Sequence, residues 1–221
     1  MIRCNSFLLY AFCSTALYIS YAMHRYFIVN KPYNMVSQFV SSHDVRLLGD
    51  LHFDFPEGIH AIGRLDNNSE GLLILTTDKN VTRLLFQGKI PHERTYLVRV
   101  KGEVSAAALQ RLRTGVPICI SGALEYITAP CRVEIAECPA GLPDRPGELP
   151  DSAPHTWLLI TLTEGKFHQV RKMVAAVSHR CQRLIRVSIE DLLLGDLQPG
   201  EVKELPEEMF FSLLKIDDYK K

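Results

Sequence analysis

A single carboxylate, Asp66, stands in a turn-forming segment that leads into an apolar run, and this arrangement could carry chemistry. Residues 63–78 read GRLDNNSEGLLILTTD. The Gly, Asn and Ser residues around Asp66 favour a turn, and the apolar run at 72–75 predicts a buried strand. A carboxylate that a turn presents on a rigid sheet can act as a nucleophile, whereas a purely structural Asp at such a position caps the turn. This segment alone leaves both explanations open.

A run of positive charge in the last third of the chain is the second chemically suggestive feature. From Gly165 to Ile189 there are six Lys or Arg, two His and no acidic residue. The pattern predicts a helix over residues 167–177 with one apolar face and an opposite face that carries His168, Arg171 and Lys172. A basic helix face suits contacts with the phosphates of a nucleic acid, although a solvated surface helix would have the same pattern.

Composition limits the class of protein without identifying it. The 221 residues are 47% hydrophobic, enough for a packed core, and 25 basic side chains balance 25 acidic ones. Since the formal net charge is zero, bulk charge cannot draw this chain to nucleic acid, and any basic surface must be local. The six cysteines form no C-x-x-C pair and have no His at ligand spacing, which argues against zinc and disulfides and favours the cytoplasm.

The first 24 residues are expected to form an apolar N-terminal extension. Residues 7–22 are almost wholly apolar, about the length of the hydrophobic region of a signal peptide and short for a membrane span. One interpretation is that translation begins at Met23 and that the start has been assigned too early. The others are a targeting segment or a helix that packs on the body of the protein. No membrane partner is expected for the rest of the chain.

Short strands and modest helices follow in an irregular order. Strands are predicted at residues 26–29, 59–62, 72–75, 94–100, 116–120, 125–128, 131–136, 156–163 and 183–189, and helices at 80–87, 105–112 and 167–177. Five prolines between residues 139 and 154 predict an exposed Pro-rich loop between two paired strands. Because repeats and βαβ alternation are absent, we predict an α+β fold with a mixed, mostly antiparallel bifurcated sheet, flanking helices and two lobes around a cleft.

Three separated motifs, in this order, resemble the ribosomal pseudouridine synthases of the RsuA type. They are GRLD at 63–66 with GLL at 71–73, RTY at 94–96, and EGKFHQVRKM at 164–173. NKP at 30–32 and the spaced Leu and Gly residues from 194 to 205 match as well. The resemblance is to the shorter subgroup without an S4 RNA-binding domain, typified by ribosomal large subunit pseudouridine synthase E. Residues 25–221 are therefore expected to form the catalytic domain, with the fold of the pseudouridine synthase core.

The resemblance implies an isomerase that converts a uridine of ribosomal RNA, expected to be large-subunit RNA, into pseudouridine without a metal or cofactor. Asp66 would be the nucleophile and would attack either C1′ of the ribose or C6 of the uracil. Arg171 would pair with this carboxylate, and Arg64 would help to hold the base out of its stack. Tyr96 would lie flat on the flipped uracil and could take the proton from C5.

The expected partner is ribosomal RNA or a pre-ribosomal particle, bound by a monomer. The side chains expected to contact phosphates are Lys166, His168, Lys172, Arg180 and Arg183. Because the net charge is zero, we expect modest RNA affinity that depends steeply on salt.

Two positions depart from the family pattern, since Asn34 and Ser178 stand where the family often has Gly. If Ser178 ends its helix in a left-handed conformation, the substitution costs roughly 1 kcal/mol. Asn tolerates this conformation better than most residues. Neither change touches the predicted chemistry.

Two other classes of function compete with this interpretation. In a glycoside hydrolase, Asp66 would work with a second acid such as Glu70 or Asp78. In a non-catalytic RNA-binding or ribosome assembly factor, the site would bind RNA without isomerising it. The joint presence of Asp66, Tyr96 and Arg171 argues against the second alternative.

Overall fold

The computed structural model describes residues 24–88, 90–121, 124–145, 147–148, 150–217 and 219. The predicted apolar extension lies outside these residues apart from His24. The strands are β1 Tyr26–Lys31, β2 His60–Ile62, β3 Glu70–Thr76, β4 Arg94–Lys101, β5 Pro117–Ser121, β6 Leu124–Ile127, β7 Arg132–Ala136, β8 His155–Leu162, β9 Cys181–Ile189, β10 Leu192–Leu193 and β11 Val202–Leu205. The helices are α1 Asn80–Phe86, α2 Ala106–Thr114, α3 Gln169–Ala176 and α4 Glu207–Leu213, with a 3₁₀ turn at Leu48–Asp50.

Within the described residues, a nine-stranded mixed sheet forms the centre of the fold. Its main path runs β11-β1-β3-β9-β4-β8-β7, while β2 pairs with β3, and β10 with β9, beside this path. All of these pairs are antiparallel except β3 with β9. β5 and β6 form a separate hairpin. The structure confirms the predicted α+β class and the mostly antiparallel sheet.

The sheet divides at β3. One edge of β3 pairs with β1 from residue 71 to residue 76, so its other partners must share the opposite edge. On that edge Glu70 and Gly71 pair with β9, whereas residues 74–76 pair with β2. A Cβ atom at Gly71, where φ is +98°, would lie 2.4 Å from the carbonyl oxygen of Arg186. Glycine is therefore required where the two halves of the bifurcated sheet join.

The two halves of the sheet carry separate hydrophobic cores. Helices α2 and α3 pack on β4, β8 and β9 around Leu112, Met173 and Leu158. In the other lobe, α1 and α4 cover one face of β1 and β3, and the segment from residue 35 to residue 55 covers the opposite face. Every residue of β3 is buried, because this strand is covered on both faces, as its unbroken apolar run predicted.

The helices begin and end where local chemistry directs them. The Ser105 hydroxyl caps α2 by accepting from the Ala108 amide at 3.2 Å, as predicted. α3 begins at Gln169 rather than at residue 167, because His168 adopts a left-handed conformation with φ of +54°. Asn34 and Ser178 are left-handed too, with φ of +57° and +69°, so the condition set for Ser178 in the sequence analysis is met.

The Pro-rich loop, residues 139–154, joins the paired strands β7 and β8 as predicted. Its backbone runs over the surface, but the side chains of Arg145 and Glu148 turn inward and are 9% and 14% exposed. Charged contacts therefore attach to the body a segment whose composition supplies little apolar surface.

The C-terminal strand β11 and helix α4 were not predicted from the sequence. β11 is a short edge strand that pairs with β1, and α4 supplies Phe210 and Phe211 to the core beside Tyr26. Among the described residues, none of the helices has the length and apolar composition needed to span a bilayer.

Candidate active site

A cleft of about 1160 Å³ lies between the two lobes and contains the predicted catalytic carboxylate. Asp66, Arg64 and Tyr96 line this cleft, together with His168 and Arg186. Tyr96 packs against the hydrophobic cores of both lobes. The cleft therefore opens where the divided sheet separates, with its polar groups concentrated around Asp66.

The Asp66 loop, residues 63–69, is held by backbone contacts. The Asp66 carbonyl accepts from the Ser69 amide at 3.1 Å, which closes the predicted turn. The Asn67 carbonyl accepts from the Met35 amide at 3.3 Å. The Ser37 hydroxyl donates to the Leu65 carbonyl at 2.8 Å and lies 3.0 Å from the Leu65 amide. These bonds tie the loop to residues 35–37.

Lys31 reinforces the same junction from inside the protein. Its side chain is fully buried, and Nζ donates to the carbonyls of Met35 and Pro32 at 2.6 and 2.8 Å and lies 3.5 Å from that of Asn67. Burial lowers the pKa of Lys31 to about 7, while the nearby carboxylates of Glu70 and Asp66 favour its charged form. A buried lysine thus joins residues 32–35 to the Asp66 loop itself.

Two side chains at the start of α3, one imidazole and one guanidinium, approach the Asp66 carboxylate. His168 Nε2 lies 3.4 Å from Oδ1, and Arg171 Nε lies 3.9 Å from Oδ2. Arg171 Nη2 also donates to the Asn68 carbonyl at 2.7 Å and to the Ser69 hydroxyl at 3.1 Å. Arg171 Nε is buried and has no hydrogen-bond partner among the described residues. The guanidinium therefore holds the loop while one N–H group points towards the carboxylate.

Tyr96 lies on β4 directly opposite Arg186 of β9. Arg186 is 2% exposed and donates to the carbonyls of Leu72 and Gly63 at 2.7 and 2.8 Å, and it interacts electrostatically with the Tyr96 side chain. Burial lowers the pKa of Arg186, and the contact with Tyr96 opposes this shift. Because Gly63 begins the Asp66 loop, one buried cation links Tyr96 to the loop that carries the carboxylate.

The remaining predicted residues occupy different places. Arg64 is exposed at the cleft, and Lys166 lines the cleft with Nζ 4.7 Å from the centroid of the Tyr126 ring. Lys172 and Arg180 lie outside the cleft lining, and Lys172 Nζ is 5.1 Å from the Phe167 ring centroid. Fewer of the predicted basic side chains therefore line the cleft than the charge count suggested.

Arg183 corrects one prediction, because it cannot act as a surface contact for phosphate. Its side chain is 4% exposed and forms paired hydrogen bonds with Glu70 at 3.0 and 2.9 Å. A further bond joins it to Glu148 at 2.8 Å. A strand residue that faces the protein interior looks the same in a sequence as an exposed one, so the charge run alone could not separate them.

The carboxylate pair of a glycoside hydrolase is not formed by either acid considered for it. Glu70 is buried against Arg183, and Asp78 is buried with its carboxylate bonded to the Asn80 amide and the Tyr26 hydroxyl. Neither lines the cleft. Glu164 does line it, but its oxygens already accept from Tyr126, Gln169 and the Ala129 amide. Asp66 is left as the one carboxylate among the described cleft residues without such partners.

Sequence reasoning missed Lys31 and Arg186 as parts of this site. Lys31 belonged to a recognised motif but received no role, and Arg186 was counted only as part of a basic run. A buried cation in a β-strand is unusual enough to be a signal, but only if burial itself can be predicted. Both residues act on backbone carbonyls that come together only in the folded chain.

Comparisons with known proteins agree with this geometry. Residues 25–176 match the family described as RNA pseudouridylate synthase. The chain is 39% identical over 189 residues to ribosomal large subunit pseudouridine synthase E of Vibrio vulnificus, covering 85% of this chain and 77% of the relative. It is 38% identical over 178 residues to the protein of that name from Xanthomonas campestris, covering 79% and 91%. A solved structure described as a pseudouridylate synthase has a TM-score of 0.69 at 28% identity and covers 86% of this chain and 74% of that one.

The fold and these likenesses thus define an RNA-modifying isomerase. The chain belongs to the RNA pseudouridylate synthase family, which confirms the resemblance inferred from its motifs. It is an enzyme that rearranges uridine in RNA into pseudouridine.

Proposed function

We propose that this chain isomerises a specific uridine in large-subunit ribosomal RNA, with Asp66 as the nucleophile. The observation that carries the assignment of Asp66 is its position in the cleft, beside His168 and Arg171 and without a second available carboxylate. The large-subunit substrate is supported by relatives named for that RNA. Residues 25–221 form the catalytic domain in this proposal, which acts as a cytoplasmic monomer.

The reaction is an isomerisation, so its atoms balance within one nucleotide. The bond from C1′ to N1 of the base breaks, a bond from C1′ to C5 forms, and the C5 proton is lost while N1 gains one. An ionised carboxylate can assist by attacking C1′ or C6, and both routes need it to be shielded from water that would release the base.

Arg171 holds the carboxylate in position. Its Nε is buried without a hydrogen-bond partner among the described residues, 3.9 Å from Asp66 Oδ2. A closure of about 1 Å on RNA binding would turn this contact into a charge-assisted hydrogen bond. His168, first expected to contact phosphate, is 3.4 Å from the other carboxylate oxygen and is assigned to the same task.

Tyr96 supports the flipped base and receives the C5 proton. The buried Arg186 guanidinium interacts electrostatically with the Tyr96 side chain and would stabilise negative charge that develops on its oxygen. Arg64, exposed at the cleft beside Asp66, occupies the space that the uridine leaves in its stack. Lys166 contacts the phosphate backbone at the mouth of the cleft, with Lys172 and Arg180 further out.

The experiment that tests this proposal measures tritium released from uridine C5 in transcribed large-subunit rRNA. We expect release by the wild type and none by Asp66→Asn, which keeps the size of the side chain but not its charge. Asp196→Asn, at an exposed surface position, is the matched control and should retain activity. A small-subunit transcript runs in parallel. Release from that transcript alone would contradict the proposed substrate, and activity of Asp66→Asn would contradict the proposed nucleophile.

A further inference from the structure

One arginine of the Pro-rich loop, Arg145, contacts residues next to the Asp66 loop. The Arg145 side chain is 9% exposed, and its Nη1 lies 3.6 Å from Glu70 Oε2. Its Cζ lies 4.4 Å from the centroid of the Tyr33 ring, and Nη2 donates to the Gln182 carbonyl at 2.9 Å. One guanidinium thus contacts residues from three segments that are distant in sequence.

Two of these contacts are with residues next to the Asp66 loop, one in the supporting turn and one in the strand that follows the loop. Tyr33 precedes Asn34 and Met35, which bond the side chain and the carbonyl of Asn67 at 3.1 and 3.3 Å. Glu70 begins β3 directly after Ser69, whose amide bonds the Asp66 carbonyl. Arg145 therefore contacts the turn that supports the loop and the strand where the loop ends.

The charges around Arg145 alternate in sign. Glu70 faces two guanidinium groups, those of Arg145 and Arg183. Glu148, from the same Pro-rich loop, accepts from Arg183 at 2.8 Å and from Arg99 at 3.1 Å. Asp151 of the same loop is exposed and lies 3.2 Å from Arg99 Nη2. The loop thus supplies one cation and two anions to a network of six charged groups, in which each loop charge is adjacent to an opposite one.

We propose that Arg145 is a positioning residue that braces the Asp66 loop, that is, holds it in place through contacts outside the cleft. The inference rests on the proposed role of Asp66 and extends it to a loop outside the cleft. Arg145 is not among the described residues that line the cleft, so it acts on the reaction through the residues that it contacts, of which Tyr33 and Glu70 adjoin the Asp66 loop and its support. A nucleophile has to be held within a fraction of an ångström of its target, and misplacement by about 1 Å can lower the rate on the order of 100-fold.

The test uses the full chain with Arg145→Met, which keeps much of the side-chain length and removes the charge. Hydrogen exchange measured by mass spectrometry should become faster in peptides that cover residues 33–35 and 66–71. With transcribed large-subunit rRNA tritiated at uridine C5, kcat should fall roughly 10- to 100-fold while KM changes less than about twofold.

Two control variants separate positioning from general destabilisation. Asp144→Asn changes an exposed charge beside Arg145 and should alter neither readout. Leu112→Ala removes a fully buried side chain from α2 in the other lobe, so it lowers stability without touching the network. Its kcat should stay near the wild-type value at temperatures where both variants are folded.

The outcomes are distinct. The proposal is overturned if exchange in Arg145→Met changes only within residues 139–154, if KM alone changes, or if Leu112→Ala loses as much kcat. If the wild type releases no tritium, the proposed function fails, and the exchange data still decide whether Arg145 braces the loop.

Discussion

The Asp66 carboxylate has an imidazole and a guanidinium as neighbours, but neither contact is a hydrogen bond among the described residues. His168 and Arg171 lie 3.4 and 3.9 Å away, while the short bonds of Arg171 go to Asn68 and Ser69. The guanidinium therefore organises the loop before it engages the carboxylate. This division of work needs a planar group with several fixed donors, which lysine does not have.

Arg171→Lys is accordingly expected to be nearly as damaging as Arg171→Gln. Each variant loses the double contact with the Asn68 carbonyl and the Ser69 hydroxyl, so the single-turnover rate should drop roughly 100-fold or more. Rapid-quench measurement of pseudouridine in saturating rRNA provides the rate. Arg83→Lys, an exposed change on α1 outside the cleft lining, is the control. Wild-type rates for Arg171→Lys would show that charge alone is sufficient.

Lys31 predicts a pH-dependent stability. Its pKa is about 7 in the folded chain and near 10.5 when exposed, so between these values the unfolded chain binds more protons. Stability should therefore rise with pH above 7, by at most about 1.4 kcal/mol per pH unit, and this contribution should be absent in Lys31→Met. Urea unfolding of the wild type and the variant from pH 6.5 to 9.5 measures the difference. Lys203→Met, at an exposed site, should follow the wild type, and a parallel profile for Lys31→Met would refute the assignment.

At the scale of elements, the start of α3 places an exposed aromatic ring beside the carboxylate. Phe167 is 66% exposed, lines the cleft and stacks on His168 with ring centroids 3.9 Å apart. His168 is left-handed, so the chain turns sharply there and presents both rings before the helix begins. An exposed ring with Lys172 nearby suits a stacked nucleobase and its phosphate.

Phe167→Ala should therefore weaken RNA binding more than catalysis. Loss of one stacked base predicts a rise in KM of roughly 5- to 100-fold with little change in kcat, and Phe167→Tyr should restore KM. Steady-state tritium release at constant salt provides both constants. Ile135→Ala, which removes an exposed apolar side chain from β7 away from the cleft, is the control. An unchanged KM for Phe167→Ala would exclude the stacking role.

For the whole molecule, one divided sheet carries both lobes and the cleft between them. β9 pairs with β3 in one lobe and with β4 in the other, so it links the carboxylate loop to the strand that carries Tyr96. The net charge of zero and the burial of Arg183 and Arg186 leave few cations for phosphates. RNA recognition by this chain should thus depend on the shape of the cleft as much as on charge.

The order of the strands and helices followed from the sequence for most of the chain, because periodicity and turn residues are local properties. The Asp66 turn, the Ser105 cap and the buried run of β3 all had such local signals. Strand β11 and helix α4 had only weak ones, since each is stabilised by packing on a distant strand.

The sequence by itself determined the family, the nucleophile candidate and the residues predicted to act with it, because motif residues and their order can be read without coordinates. Only the tertiary structure decided which cations are available to a ligand. Arg183 and Arg186 share the basic run with Lys166 and Lys172, yet the first two are buried in the sheet. Burial depends on contacts between segments far apart in the chain, such as Glu70 with Arg183 and the Pro-rich loop with Tyr33. No local pattern of residue types encodes those contacts.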